Sequence, residues 1–330
     1  MESRRDFLKT LTAVMAVAPA GMRAQQKPSP APATGGKPSP PNPATLRKST
    51  LISMLPRNKS QTERFSYAER FAIGKEAGFE AVEMQTITAD AEAAEIKEAS
   101  AKTGLKIHSV MNSDHWRYPL SSADPEVVSK SVQGMETSIR NAVLWGAEAV
   151  LLVPAVVDPA TSYRDAWTRS QRVIRERLLP VARDAKIIIA VEEVWNKFLQ
   201  SPLEFARYVD DFESPWVKAY FDVGNVVINA YPQDWIRTLG SRIVKIHLKD
   251  FTVDRKSQTF AFKNLGEGDI DWPEVRRALA ESGYSGYVTT EIQGGDLAYL
   301  KDVAARVDRF IAGEKPLPVS PSAATGKEAP

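Results

Sequence analysis

Residues 187–193 read IIIAVEE, an apolar run closed by two glutamates. The same form recurs at Val217–Asp222 (VKAYFD), Ile243–His247 (IVKIH) and Gly286–Glu291 (GYVTTE). Each is rich in β-branched or aromatic residues and ends in a side chain that can ligate a divalent cation. Helix-length segments separate the four, so they read as parallel strands delivering Glu, Asp, His and Glu to one rim. Three carboxylates and one imidazole suit a hard or borderline ion such as Mn2+, Co2+ or Mg2+ better than a thiolate-loving one.

Eight β–α steps fit the chain. Strands are expected at Thr50–Met54, Ala81–Gln85, Lys106–Met111, Ala149–Pro154, Ile187–Glu193, Lys218–Asp222, Val244–Lys249 and Tyr287–Ile292. Helical periodicity follows each, as at Pro125–Leu144 and Tyr163–Asp184. Ser66, Asp124, Ser201 and Asp271 stand where N-caps belong, and Gly78, Gly104, Gly146 and Gly283 where helices stop. Eight alternations in about 270 residues predict one α/β domain, a (β/α)8 TIM barrel over 46–313. In such barrels catalytic groups lie at the C-terminal ends of the strands.

Both flanks differ from this pattern. Ser3-Arg4-Arg5-Asp6-Phe7-Leu8-Lys9 followed by an apolar stretch and Ala18-Pro19-Ala20 reads as a twin-arginine signal peptide over 1–24. It predicts passage through the twin-arginine translocation machinery to a periplasmic or other extracytoplasmic compartment. Residues 25–45 are a Pro-rich linker and 314–330 a loose tail, both without apolar periodicity. Cysteine is absent, which excludes thiol nucleophiles and Cys-based zinc sites. The bases and acids of residues 1–24 account for the whole formal charge of +2, so the remainder is near neutral. Nucleic-acid binding gets no electrostatic support.

Ala190–Leu199 (AVEEVWNKFL), Phe221–Asn225 (FDVGN), Ile246–Phe251 (IHLKDF) and Asn264–Trp272 (NLGEGDIDW) occur in order and resemble the xylose isomerase-like TIM barrels. They look most like the sugar-phosphate isomerase/epimerase branch with its L-xylulose-5-phosphate and ketose 3-epimerases. The resemblance implies one divalent ion (Mn2+, Co2+, Mg2+ or Zn2+) held by Glu192, Asp222, His247 and Glu291, and a small-molecule sugar substrate. Glu193 is the alternate to Glu192, because neighbours on a strand point to opposite faces and only one can face the mouth. The endonuclease-IV-type relatives need three zinc ions and extra histidines, which a chain with three His cannot supply. A homodimer is compatible with barrels of this type.

The implied chemistry is proton abstraction next to a carbonyl through an enediolate, with Glu192 and Glu291 as acid and base. Return of the proton on the opposite face is 3-epimerisation, and return at the neighbouring carbon is aldose–ketose isomerisation. Expulsion of a β-leaving group is a lyase or dehydratase reaction on a 3-keto sugar or glycoside, and a non-catalytic exported sugar-binding barrel is the third alternative. His108, Trp116, Lys197 and Asn225 are candidate substrate contacts, the last standing where ketose-epimerase relatives carry His. Asp250 is a candidate for orienting His247 or a neighbouring loop. Gly266-Glu267-Gly268 is no phosphate cradle by itself.

Overall fold

A computed structural model describes residues 45–317 except 255 and 258. The twin-arginine segment, nearly all of the Pro-rich linker and most of the tail lie outside the described residues. Eight parallel strands close into a barrel in the order β1 (Leu46–Leu51), β10 (Gly286–Thr290), β7 (Ile243–Leu248), β6 (Val217–Asp222), β5 (Ile188–Glu192), β4 (Ala149–Leu152), β3 (Lys106–Met111), β2 (Ala81–Gln85). Helices follow the strands in sequence, from α1 (Tyr67–Ala77) to α9 (Leu297–Ile311). No helix among the described residues is long and apolar enough to cross a membrane.

Strand alternation sorts the side chains into two populations. On β5, Ile189 and Val191 join the large apolar cluster between strands and helices, while Ala190 belongs to a second, smaller cluster with Tyr220. On β6 and β7, Phe221, Ile246 and Leu248 belong to the outer cluster. The parity that buries those residues against the helices turns Glu192, Asp222 and His247 towards the barrel axis.

Three elements depart from the sequence expectation. The first strand lies earlier, at Leu46–Leu51, because Ile52–Met54 turn into a 3-10 segment at its end. The fourth helical stretch is interrupted: α4 (Tyr163–Val173) passes through a π segment at Ile174–Leu178 into α5 (Leu179–Ala185). Pro180 lacks an N–H and its ring crowds the preceding turn, which accounts for the local widening. The segment after β7 forms an antiparallel hairpin, β8 (Asp250–Asp254) with β9 (Thr259–Lys263), which stands outside the barrel.

Asp250 explains how that hairpin is tied down. It is fully buried and accepts four hydrogen bonds: from the backbone N–H of Phe251 (2.9 Å), Gly266 (2.8 Å) and Gly268 (3.1 Å), and from Trp272 Nε1 (2.9 Å). The Gly266 and Gly268 amides therefore serve this carboxylate, while the Glu267 amide donates to the Asn264 carbonyl. Gly266 sits at φ +87°, and a Cβ there would meet the Pro316 carbonyl at 1.9 Å, so only glycine fits. Asp250 orients this loop and not His247.

Candidate metal centre

The C-terminal end of β5 carries Glu192, β6 ends in Asp222, β7 carries His247, and Glu291 follows β10 directly. One ligand atom from each lies within 4.8 Å of all the others. His247 Nδ1 is 2.9 Å from Glu291 Oε2, 3.0 Å from Glu192 Oε1 and 3.8 Å from Asp222 Oδ2. Asp222 and His247 are wholly buried, and Glu192 nearly so. Asp222 Oδ1 is held by the N–H groups of Gly224 (2.7 Å) and Asn225 (2.9 Å), which leaves Oδ2 for the shared centre.

Electrostatics sets the carboxyls apart. Burial pushes the Glu192 carboxyl up to about 7, helped by the charges of Glu291 and Asp222 and opposed by His247. Asp222 is raised as well, chiefly by burial. Burial would raise Glu291 too, but the cationic His247 and Lys249 outweigh it and hold this carboxyl below the usual range. The same pairings raise His247 well above the ordinary imidazole value, against its own desolvation.

The donor set fits a divalent cation. Asp222 Oδ2 and Glu291 Oε2 are buried and satisfy no hydrogen-bond geometry; they face charges only. The Lys249 ammonium already lies 3.1 Å from each of these oxygens, so the place they define is one that receives positive charge. Three carboxylates and an imidazole are also the donor types that Mn2+, Co2+, Mg2+ and Zn2+ accept.

Glu193, the alternate ligand, points away from the centre. Its Oε1 accepts the Asp222 N–H at 3.0 Å and its Oε2 has no partner, so burial raises it well above the ordinary carboxyl value. Glu193 supports the backbone of Asp222, and Glu192 is the member of the pair that joins the cluster. Asn225 ties loops together: its Nδ2 donates to the Glu193 carbonyl (3.0 Å), its Oδ1 accepts from Lys249 (3.3 Å), and its carbonyl accepts from Trp195 Nε1 (2.9 Å). Lys197 is exposed at φ +61° and lines a crevice of about 350 Å3 between the loops after β5 and β6. Trp116 is half exposed and packs edge-on against His115.

His108, a candidate substrate contact in the sequence, lies inside β3 and not at its mouth end. β3 carries one extra residue relative to β2, with Val82 paired to Ile107 and Glu83 to Ser109, and His108 is the bulged one. Its Nε2 meets Thr289 Oγ1 at 3.0 Å and its ring stacks on Tyr287 at 4.7 Å. Tyr287 and Thr289 precede Glu291 by four and two residues, so His108 plugs a layer below the centre. Burial, with Lys245 nearby, keeps it neutral by lowering its pKa well below the usual value.

Two residues beside the centre went unread in the sequence. Lys249 looks like a surface lysine, yet its ammonium lies 3.1 Å from both Asp222 Oδ2 and Glu291 Oε2. Glu83, in the middle of β2, reaches across the barrel to His247 Nε2 at 3.1 Å. A lone acid inside the apolar AVEMQ was the available signal.

Known proteins share this fold. The family described as "Xylose isomerase-like TIM barrel" matches residues 71–309. The L-ribulose-5-phosphate 3-epimerase UlaE of Escherichia coli O1:K1 / APEC is 27% identical over 238 residues, covering 67% of this chain and 80% of that protein. A solved L-ribulose 3-epimerase superposes with a TM-score of 0.67 at 19% identity, covering 81% of this chain and 95% of that one. The 3-keto-D-glucoside 4-epimerase YcjR of E. coli gives 0.64 at 15% identity, over 79% and 99%.

Proposed function

This chain belongs to the xylose isomerase-like TIM barrel family, and from that premise we propose that it is a divalent-metal-dependent sugar epimerase or isomerase acting on a keto sugar or related polyol. One observation carries the reading: four ligand atoms of Glu192, Asp222, His247 and Glu291 converge within 4.8 Å, all but Glu291 on buried residues. The similarity to an L-ribulose-5-phosphate 3-epimerase supports the sugar-epimerase class.

A bound divalent ion would polarise the substrate carbonyl and stabilise the negative charge of an enediolate. The chain's own residues supply the proton transfers. Glu291, held ionised, accepts the proton from the carbon next to the carbonyl. Glu192, the other carboxyl of the rim, returns a proton to that carbon from the other face. Both carboxyls re-equilibrate with solvent, so no net proton is consumed. Lys249 presents an ammonium beside Glu291 to a substrate oxygen.

Export through the twin-arginine pathway belongs to the same proposal and favours an unphosphorylated substrate; fusing residues 1–44 to a reporter and following its compartment tests it. For the reaction, the purified chain is assayed for bound metal and then incubated in D2O with L-ribulose, its 5-phosphate and D-allulose. About one ion per chain, deuterium at the carbon beside the carbonyl, and a new epimer are expected. A cleaved or unsaturated product would move the assignment to β-elimination on a 3-keto sugar. No exchange with any of these sugars would leave a binding barrel.

A further inference from the structure

We infer that Glu83 is the positioning residue that presents His247 to the cation, by locking the imidazole in the tautomer with its proton on Nε2. The inference rests on the metal reading of the rim and goes one step behind it. His247 turns Nδ1 towards Glu192, Asp222 and Glu291, so the opposite nitrogen decides whether a lone pair is free there. Nε2 faces Glu83 Oε1 at 3.1 Å. The other oxygen of Glu83 is already taken, because it accepts the hydroxyls of Tyr220 (2.6 Å) and Ser109. Oε1 is therefore an acceptor, and Nε2 must be the donor. Once a cation displaces the proton on Nδ1, the lone pair left there is aimed into the rim.

Packing holds this arrangement in place. Glu83, His247 and Tyr220 are all buried, and the Tyr220 ring lies 4.3 Å from the imidazole. Flipping the His247 ring would put carbon atoms where both sets of polar contacts are made, so the orientation is unique. The three anchors of Glu83 come from β3, β6 and β7, which makes the orientation a property of the closed barrel. A carboxylate near the axis is expensive compared with an apolar residue of the same volume. A partner carboxylate on the free nitrogen of a ligating histidine makes that histidine a better donor.

The test uses the full chain. Chelator competition measures Co2+ and Zn2+ affinity in wild type, Glu83→Ala, Glu83→Gln and Tyr220→Phe, with thermal melts alongside. Ring-nitrogen NMR of the Zn2+-loaded chain reads the tautomer, with only three histidines to assign. Wild type should show a protonated Nε2. Glu83→Ala should lose about 10- to 100-fold in affinity, and Glu83→Gln, whose amide oxygen can still accept from Nε2, should lose less. If Glu83→Ala does not fold, Tyr220→Phe must weaken affinity through the loosened carboxylate. Unchanged affinity in a folded Glu83→Ala or in Tyr220→Phe, or a proton on Nδ1, overturns this role alone. A wild type that binds no cation sinks the metal reading and this role with it.

Discussion

The Lys249 ammonium lies 3.1 Å from Glu291 Oε2, with 12% of the Lys249 side chain and 27% of the Glu291 side chain left exposed. It is equally close to Asp222 Oδ2, so one cation serves two buried carboxylates. Removing one partner of a buried pair leaves uncompensated charge, at a typical cost of about 3–5 kcal/mol. Lys249→Met should therefore lower the melting temperature of the chelator-treated chain by several degrees. Added Zn2+ or Mn2+, meeting the same two oxygens, should restore much of it. Calorimetry with and without chelator decides; an unchanged melt would show the pair to be energetically idle.

Cation binding should tighten with rising pH. Glu192 holds a proton up to about 7, and His247 holds one well above the ordinary imidazole range. A metal ion must displace these protons to reach the same atoms. Affinity should then climb about tenfold per pH unit for each proton released. Titrations at three pH values, and calorimetry in buffers of different ionisation enthalpy, measure the release directly. A pH-independent affinity would contradict the assignment of these ligands.

The two adjacent glutamates should separate cleanly. Glu192→Gln removes a ligand and the proposed acid, so metal retention should fall and turnover drop by about 10²- to 10⁴-fold. Glu193→Gln keeps an acceptor for the Asp222 N–H and should retain the metal. Metal content of the two purified variants is the measurement, and equal loss in both would reverse the choice between them.

His115 sets an acid limit on stability that is independent of the centre. Burial lowers its pKa from 6.5 to about 4 in the fold, where its Nδ1 accepts the Val153 N–H at 3.4 Å. Between those values the unfolded chain binds the extra proton, so this contribution is complete above 6.5 and is lost as pH falls towards 4. Its ceiling is about 3 kcal/mol. Denaturant melts from pH 7 to 4 should show the decline, and His115→Gln should flatten it.

Asp250 should prove a loop clamp. Asp250→Ala strands three backbone donors and the Trp272 indole, a loss of about 3 kcal/mol or more. Hydrogen exchange at the Gly266 and Gly268 amides should accelerate while metal stoichiometry stays the same. Protection left intact at those amides would refute the clamp.

Much of this protein could be read locally. Strand alternation, N-caps and helix-stopping glycines are properties of short windows, and the eight-step pattern led from them to a closed parallel barrel. Glu192, Asp222, His247 and Glu291 stood out because a polar group closing an apolar run is visible in six residues. The Glu192–Glu193 choice needed the phase of β5 relative to the barrel axis, which the packing of Ile189 and Val191 against the helices sets.

What only the tertiary structure decided is who meets whom across the barrel. Glu83 and His247 are 164 residues apart, and no local pattern links β2 to β7. Their contact exists because closure of the sheet brings opposite walls within the reach of two side chains. Lys249 became a counter-ion for the same reason, since Asp222 and Glu291 reach it from the strands on either side. His108 went the other way, because a bulge in β3 set it below the rim that its sequence position suggested. The sequence by itself determined which residues could hold charge at strand ends; barrel closure and strand register decided which charges meet, because burial leaves each of them to be satisfied by whatever group the opposite wall provides.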